Sequence, residues 1–164
     1  MTPAEVVTLA SIVEWEARKP DERRRIAGVY VNRLLGRTSS GTMRLQADPT
    51  VQFALMEEGG EPRMRRLLFR DYAFPSDYNT YRIDGLPPGP ITNPSDDTVL
   101  AVLENEQHDY LYFVADGSGG HDFSRTVAEH NAKARRWSQW LSEQVRQRRA
   151  REAADGATAE TATP

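Results

Sequence analysis

The opening segment TPAEVVTLASIVEWEARK, residues 2–19, constrains the fold more than any other stretch, because it joins a complete helix-start signal to an apolar stripe. Thr2 can cap the helix, Pro3 suits the first helical position, Glu5 completes a Thr-x-x-Glu capping box, and Pro20 marks the end. Val6, Leu9, Ala10, Ile12, Val13 and Ala17 recur at helical spacing, so one face must be buried. Glu14 and Glu16 fall inside that pattern. At about 100° per residue, each lies roughly 70–90° from the centre of the stripe, on opposite flanks, and periodicity does not choose between them. A carboxylate in such a place is a solvated rim residue, a partner in an ion pair, or a general acid whose pKa is raised by desolvation.

A second helix follows from Asp21 to Leu35, with Ile26, Val29, Tyr30 and Leu34 on one face and Gly36 as its stop. The run Arg23–Arg25 reads as a solvated helix face before it reads as an anion patch. Asp48-Pro49 is cap plus first residue of a short helix to about residue 57, and Asn93-Pro94 repeats that start for a helix to about 104. Between them, an Arg-rich connector over 61–77 offers Leu67, Leu68 and Phe69 to pin it to the core. Residues 78–83 alternate like a strand, and Gly85 followed by Leu86-Pro87-Pro88-Gly89-Pro90 makes a rigid turn. Tyr110–Val114 is the best strand, joined by Asp116-Gly117-Ser118-Gly119-Gly120 to a hairpin partner, 121–124. Thr126-x-x-Glu129 opens a last helix carrying Trp137, Trp140, Leu141 and Val145.

These elements make a helix-rich single α+β domain over residues 1–151 with a small antiparallel hairpin. Residues 152–164, low in bulky apolar side chains, read as a disordered tail. At 164 residues and 38% hydrophobic, the chain can bury a real core. It has no apolar run long enough for a membrane helix and no signal-peptide pattern, so the piece as given reads as soluble. The net charge of −3 gives no electrostatic case for nucleic acid. His108, His121 and His130 lack metal-ligand spacing, and no metal or cofactor is expected. The GSGG turn joins two strands and lacks the order of a phosphate-cradling loop. Gln46, Asp48, Tyr78, Asn79 and Tyr81 together suit sugar binding, with aromatic faces for pyranose rings and amides for hydroxyl and acetamido groups.

Five separated stretches carry a more specific signal: LASIVEWEA (9–17), IAGVYVNRL (26–34), LQADPTVQFAL (45–55), YNTYRIDGLPPGPITNP (78–94) and YLYFVADGSGGHDFSRTVAEHN (110–131). In this order they resemble the catalytic domain of the endolytic murein transglycosylases, the MltG or YceG-like family. The resemblance implies a lysozyme-like catalytic helix, with Glu14 as the catalytic acid and Glu16 as its supporting neighbour. It further implies that Gln46, Asp48, Asn79, Tyr81, Gly120, His121 and Phe123 bind substrate. Trp15 stands where a basic residue is common, which matters little if that position faces out. The family also implies peptidoglycan glycan strands as substrate, peptidoglycan synthases as candidate partners, and a place in the cell envelope at the outer face of the cytoplasmic membrane. The membrane helix and LysM-like segment usual in the family do not appear in this chain.

The reaction implied is cleavage of the β-1,4 bond between N-acetylmuramic acid and N-acetylglucosamine, with closure of a 1,6-anhydro ring, which limits glycan length. One carboxylate suffices, because the C6 hydroxyl replaces water. A hydrolase would need a second carboxylate, about 5–5.5 Å away for retention or 6.5–9.5 Å for inversion. Glu16, roughly 200° around the helix from Glu14, does not suit that role, which leaves Asp48. The alternatives are therefore a muramidase using Glu14 and Asp48, or a peptidoglycan-binding module without turnover.

Overall fold

The structure, a computed structural model, describes residues 1–61 and 66–160. Among them are five α-helices and one two-stranded sheet: α1 (Pro3–Glu16), α2 (Arg23–Leu35), α3 (Asp48–Glu57), α4 (Asp96–Leu103), β1 (Tyr112–Ala115), β2 (His121–Ser124) and α5 (Val127–Glu160). The chain is thus an α+β unit. In the capping box that starts α1, Glu5 N donates to Thr2 Oγ1 at 3.3 Å and Thr2 N donates to Glu5 Oε2 at 2.7 Å. The helix stops at Glu16, earlier than expected, since Ala17 and Lys19 turn extended ahead of Pro20. A 3-10 turn, Pro20–Glu22, then leads into α2, which Gly36 ends in the left-handed region at φ 58°.

The core is built where α1, α2 and α4 meet, with Leu9, Ile12, Val13, Ile26, Val31 and Val102 fully buried. Each such side chain contributes about 1.5–3 kcal/mol by leaving water. The arginine run at the start of α2 is neither free nor an anion patch. Arg23 pairs with Glu14, Arg24 with Glu104 and Arg25 with Glu106, tying α2 to α1 and to the segment after α4. α4 begins two residues later than its Asn-Pro signal, with Ser95 as N-cap, because Glu14 reaches across from α1 and accepts from Ser95 N at 3.1 Å.

β1 and β2 pair antiparallel, with Phe113 opposite Phe123 and Ala115 opposite His121. The hairpin hangs on α2. Asn32 Nδ2 donates to the carbonyls of His108 and Tyr110 at 2.8 and 3.1 Å, and Tyr30 meets Phe113 edge to face at 5.7 Å. α5 packs on the hairpin's other side and runs past the break expected near residue 151 to Glu160; residues 161–164 of the expected tail lie outside the described residues.

Two expectations fail for local reasons. Residues 78–83 form turns, not a strand. Arg82 N and Ile83 N both donate to Asn79 O, closing the backbone on itself, while Thr80 O takes a single bond from Gln46 N, so no ladder forms. Leu68 and Phe69 do not pin the connector either: they are 48% and 94% exposed, because the short 3-10 turn Phe69–Ala73 points Asp71 inward instead.

Candidate active site

The last turn of α1 opens onto a cleft of about 830 Å³, whose lining includes Trp15, Glu16, Gln46, Asp48, Tyr81 and His121. Glu16 lies at its floor. Tyr30, buried on the facing side of α2, donates its hydroxyl to Glu16 Oε1 at 2.8 Å. One turn on, buried Arg33 donates through Nε to Leu111 O at 2.7 Å and through Nη1 to Leu45 O. This one side chain therefore ties two walls of the cleft to α2. Both acceptor residues, Leu45 and Leu111, lie just outside helix and strand, where carbonyls need such donors.

One wall is the segment before α3. Gln46 adopts a left-handed conformation, φ 49°, which a residue with a Cβ adopts at a cost of roughly 1–3 kcal/mol. It is held there by Gln46 N donating to Thr80 O at 3.1 Å and Ala47 N donating to Thr80 Oγ1 at 2.9 Å. The kink presents Gln46 and Asp48 to the cleft side by side. Asp48, the first residue of α3, accepts the Tyr81 hydroxyl at 2.7 Å and the Tyr72 hydroxyl at 3.5 Å. The two tyrosine rings lie 4.5 Å apart, so the pair forms one aromatic end of the cleft.

The other wall is the hairpin. Glu22, from the 3-10 turn after α1, accepts His121 N at 3.0 Å and bonds His121 Nδ1 at 2.8 Å. Gly120 leaves room for this approach: a Cβ there would sit 2.6 Å from Glu22 Oε1, and the Glu22 side chain would have to shift. The ring nitrogen left over is the one His121 can offer to a ligand.

Three of the residues expected at the site stand elsewhere. Glu14 does not line the cleft. On the opposite flank of α1, its Oε2 accepts the Ser95 and Thr98 hydroxyls, the former at 2.8 Å, while Oε1 meets Arg23 at 3.3 Å. Asn79 is fully buried: its Nδ2 donates to Tyr72 O at 3.1 Å and Phe74 O at 2.8 Å, and its Oδ1 accepts Tyr81 N at 3.0 Å. It shapes the turn that carries Tyr81, ties it to the 3-10 turn that carries Tyr72, and does not line the cleft. Phe123 packs between Tyr110 and Phe113 with the Arg25 guanidinium over its ring at 5.4 Å, behind the hairpin wall. Trp15, whose identity would matter little if it faced out, lines the cleft.

The two glutamates differ electrostatically. Burial pushes the Glu16 carboxyl up to about 7, a rise opposed by the Tyr30 hydrogen bond, reinforced by the Asp48 charge and opposed again by Arg33. A carboxylate at a helix C-terminus also meets the negative end of the dipole. Burial acts to raise Glu14 too, but the Thr98 and Ser95 hydrogen bonds and the Arg23 charge outweigh it and hold Glu14 below the ordinary carboxylate value. Of the two, only Glu16 can be protonated in a substantial fraction of molecules near neutral pH. Nothing in the spacing of the helix reveals this, because the difference is made by Tyr30, Asp48, Ser95 and Thr98, all remote in sequence.

The sequence description of the YceG-like family matches residues 1–136. A protein of Bacillus subtilis (strain 168) named endolytic murein transglycosylase is 40% identical over 126 residues, covering 77% of this chain and 32% of that protein. One of the same name from Streptococcus pneumoniae serotype 2 (strain D39) is 36% identical over 138 residues, 79% of this chain and 24% of the relative. The chain thus spans about a third or less of the curated relatives it matches. A crystal structure of a yceG-like protein from Listeria monocytogenes superimposes with a TM-score of 0.70 at 42% identity, covering 80% of this chain and 40% of that one.

Proposed function

This chain belongs to the YceG-like family, and on that premise we propose that residues 1–151 are the catalytic unit of an endolytic peptidoglycan lytic transglycosylase, with Glu16 as the acid. The observation that carries the reading is Glu16 itself, at the cleft floor, held by Tyr30 and poised by burial near pH 7. A group titrating there can both give and take a proton at neutral pH.

The glycan lies along the cleft. The Glu16 carboxyl gives its proton to the oxygen between C1 of N-acetylmuramic acid and the 4-position of N-acetylglucosamine; the C1–O bond breaks and the N-acetylglucosamine end leaves as an alcohol. Positive charge develops at C1, and ionised Asp48 favours it. Glu16, now a carboxylate accepting from Tyr30 and facing the Arg33 charge, removes the proton from the C6 hydroxyl of the same muramic acid. The C6 oxygen bonds to C1 and closes the 1,6-anhydro ring. No water is consumed, and Glu16 returns to its protonated form. Gln46, Asp48, Tyr81, Gly120 and His121 line the strand's path, while Asn79 and Phe123 fix the walls behind them.

Cutting peptidoglycan puts the work at the cell wall, at the outer face of the cytoplasmic membrane, with the synthases that make glycan strands as natural partners. No helix among the described residues is long and apolar enough to cross a membrane.

Hydrolysis is favoured as a second reading by one observation, that Asp48 is a second carboxylate in the same cleft. Mass spectrometry of products from purified glycan strands separates the two: 1,6-anhydromuramic ends support the transglycosylase, reducing ends the muramidase. No product with the parent chain, but retention on sacculi, would leave a binding module. Glu16→Gln should lower the rate by about 10²–10⁴, and Glu14→Gln should cut at near the parent rate; the reverse pattern would return the acid to Glu14.

A further inference from the structure

The cleft has a second end, formed by α5. From Glu16 the floor continues to Arg33, whose guanidinium carbon lies 5.4 Å from the centre of the Tyr112 ring. His130 stacks on Tyr112 at 5.4 Å with 29° between the rings. Seven residues later on the same helix, and hence on the same face, Trp137 completes the wall.

Trp137 is held from two sides. It stacks on Trp140 at 4.9 Å with 19° between planes. The hairpin tip covers both indoles at Gly117, where the backbone is left-handed, φ 88°, and a Cβ would meet Trp137 at 3.1 Å and Trp140 at 3.4 Å. Trp137 still opens into the cleft, whereas Trp140 is no part of the lining and is 44% exposed. A large apolar ring, fixed before any ligand arrives, loses no rotamer freedom on binding. Its flat face offers the apolar contact that the C–H side of a pyranose needs. Glu16 therefore lies between two aromatic ends, Tyr72 with Tyr81 and Trp137.

We infer that Trp137 is a sugar-stacking platform, a binding subsite at the α5 end of the cleft for an N-acetylhexosamine ring of the strand being cut, away from the scissile bond. The inference rests on the proposed function only in taking the ligand to be a glycan. With aromatic platforms on both sides of the acid, a strand gains most when it extends past Glu16 in both directions, which favours cuts in its interior. Trp137 lies just past residue 136, where the family match ends, so the subsite is not carried by the motifs that gave the resemblance.

The test is calorimetric binding of chitobiose and chitohexaose to the full chain carrying Glu16→Gln, so that turnover is slow on the timescale of the titration. Trp137→Ala should weaken chitohexaose roughly three- to tenfold and shrink its advantage over chitobiose; Trp137→Phe should restore most of both. Trp140→Ala, which removes the stacking partner but leaves the Trp137 ring in the cleft wall, should cost clearly less than Trp137→Ala. Chitohexaose affinity unchanged in Trp137→Ala, an equal loss in Trp140→Ala, or no binding of either sugar to the Glu16→Gln chain overturns the subsite. Length-dependent binding through Trp137, with no cleavage by the parent chain, would instead sink the transglycosylase reading and leave the subsite standing.

Discussion

Glu14 and Glu16 are two residues apart, yet the groups around them give them opposite linkage to pH. Glu16 has its folded pKa raised to about 7, so its stabilising contribution is fully present below about pH 4.5 and is lost as pH rises through 7. Glu16→Gln keeps the neutral form at every pH. Its thermal unfolding should match the parent near pH 5 and exceed it by several degrees at pH 8, on the order of 1–3 kcal/mol, while activity is lost; a variant less stable than the parent at pH 8 would contradict the buried-acid reading. Glu14 has its folded pKa depressed, so its contribution is present above the ordinary carboxylate pKa and lost as pH falls through the lowered one. Glu14→Gln should therefore cost about 1–2 kcal/mol at pH 7, with a deficit that narrows toward pH 3, as read from melting curves. An unchanged melting temperature at pH 7 would mean that Ser95, Thr98 and Arg23 do not need it.

At the scale of elements, the cleft depends on two loops that form neither helix nor strand. The turn over 78–83 is organised by one buried amide, Asn79, whose three hydrogen bonds satisfy two carbonyls and one N–H. Asn79→Ala leaves all three without a partner, at about 2–4 kcal/mol, or roughly 5–15 °C in melting temperature. Because Tyr81 rides on that turn and the Tyr72 carbonyl accepts from Asn79 Nδ2, glycan cleavage should fall as well, even at temperatures where the variant is fully folded. Cleavage at the parent rate by folded Asn79→Ala would show that the tyrosines hold their place without it. The sequence announced a special segment there, through YNTY and the prolines, but not its nature. Alternation of polar and apolar residues reads as a strand only if a neighbour supplies the ladder, and here the side chain of Asn79 captures the bonds first.

For the molecule as a whole, the unit that folds is the three-helix core with the hairpin hung on α2, and α5 adds to it only where it covers the hairpin. A chain ending at residue 151 should melt within a degree or two of the parent and cut glycan at the same rate, since residues 152–164 bring few bulky apolar groups to bury; a fall of many degrees in differential scanning calorimetry would show that the tail contributes to folding. By itself the sequence determined the helices, the hairpin, the α+β class and the family. Those features rest on caps, glycines and periodicity, which act within a few residues. Only the tertiary structure decided between Glu14 and Glu16, moved Asn79 and Phe123 behind the walls, and brought Tyr30, Arg33, Glu22 and Trp137 into the site. Helical spacing sets both glutamates at equal angles from the apolar stripe. What separates them is the company each keeps across the fold, and that is fixed by how α2, α4 and the loops pack on α1.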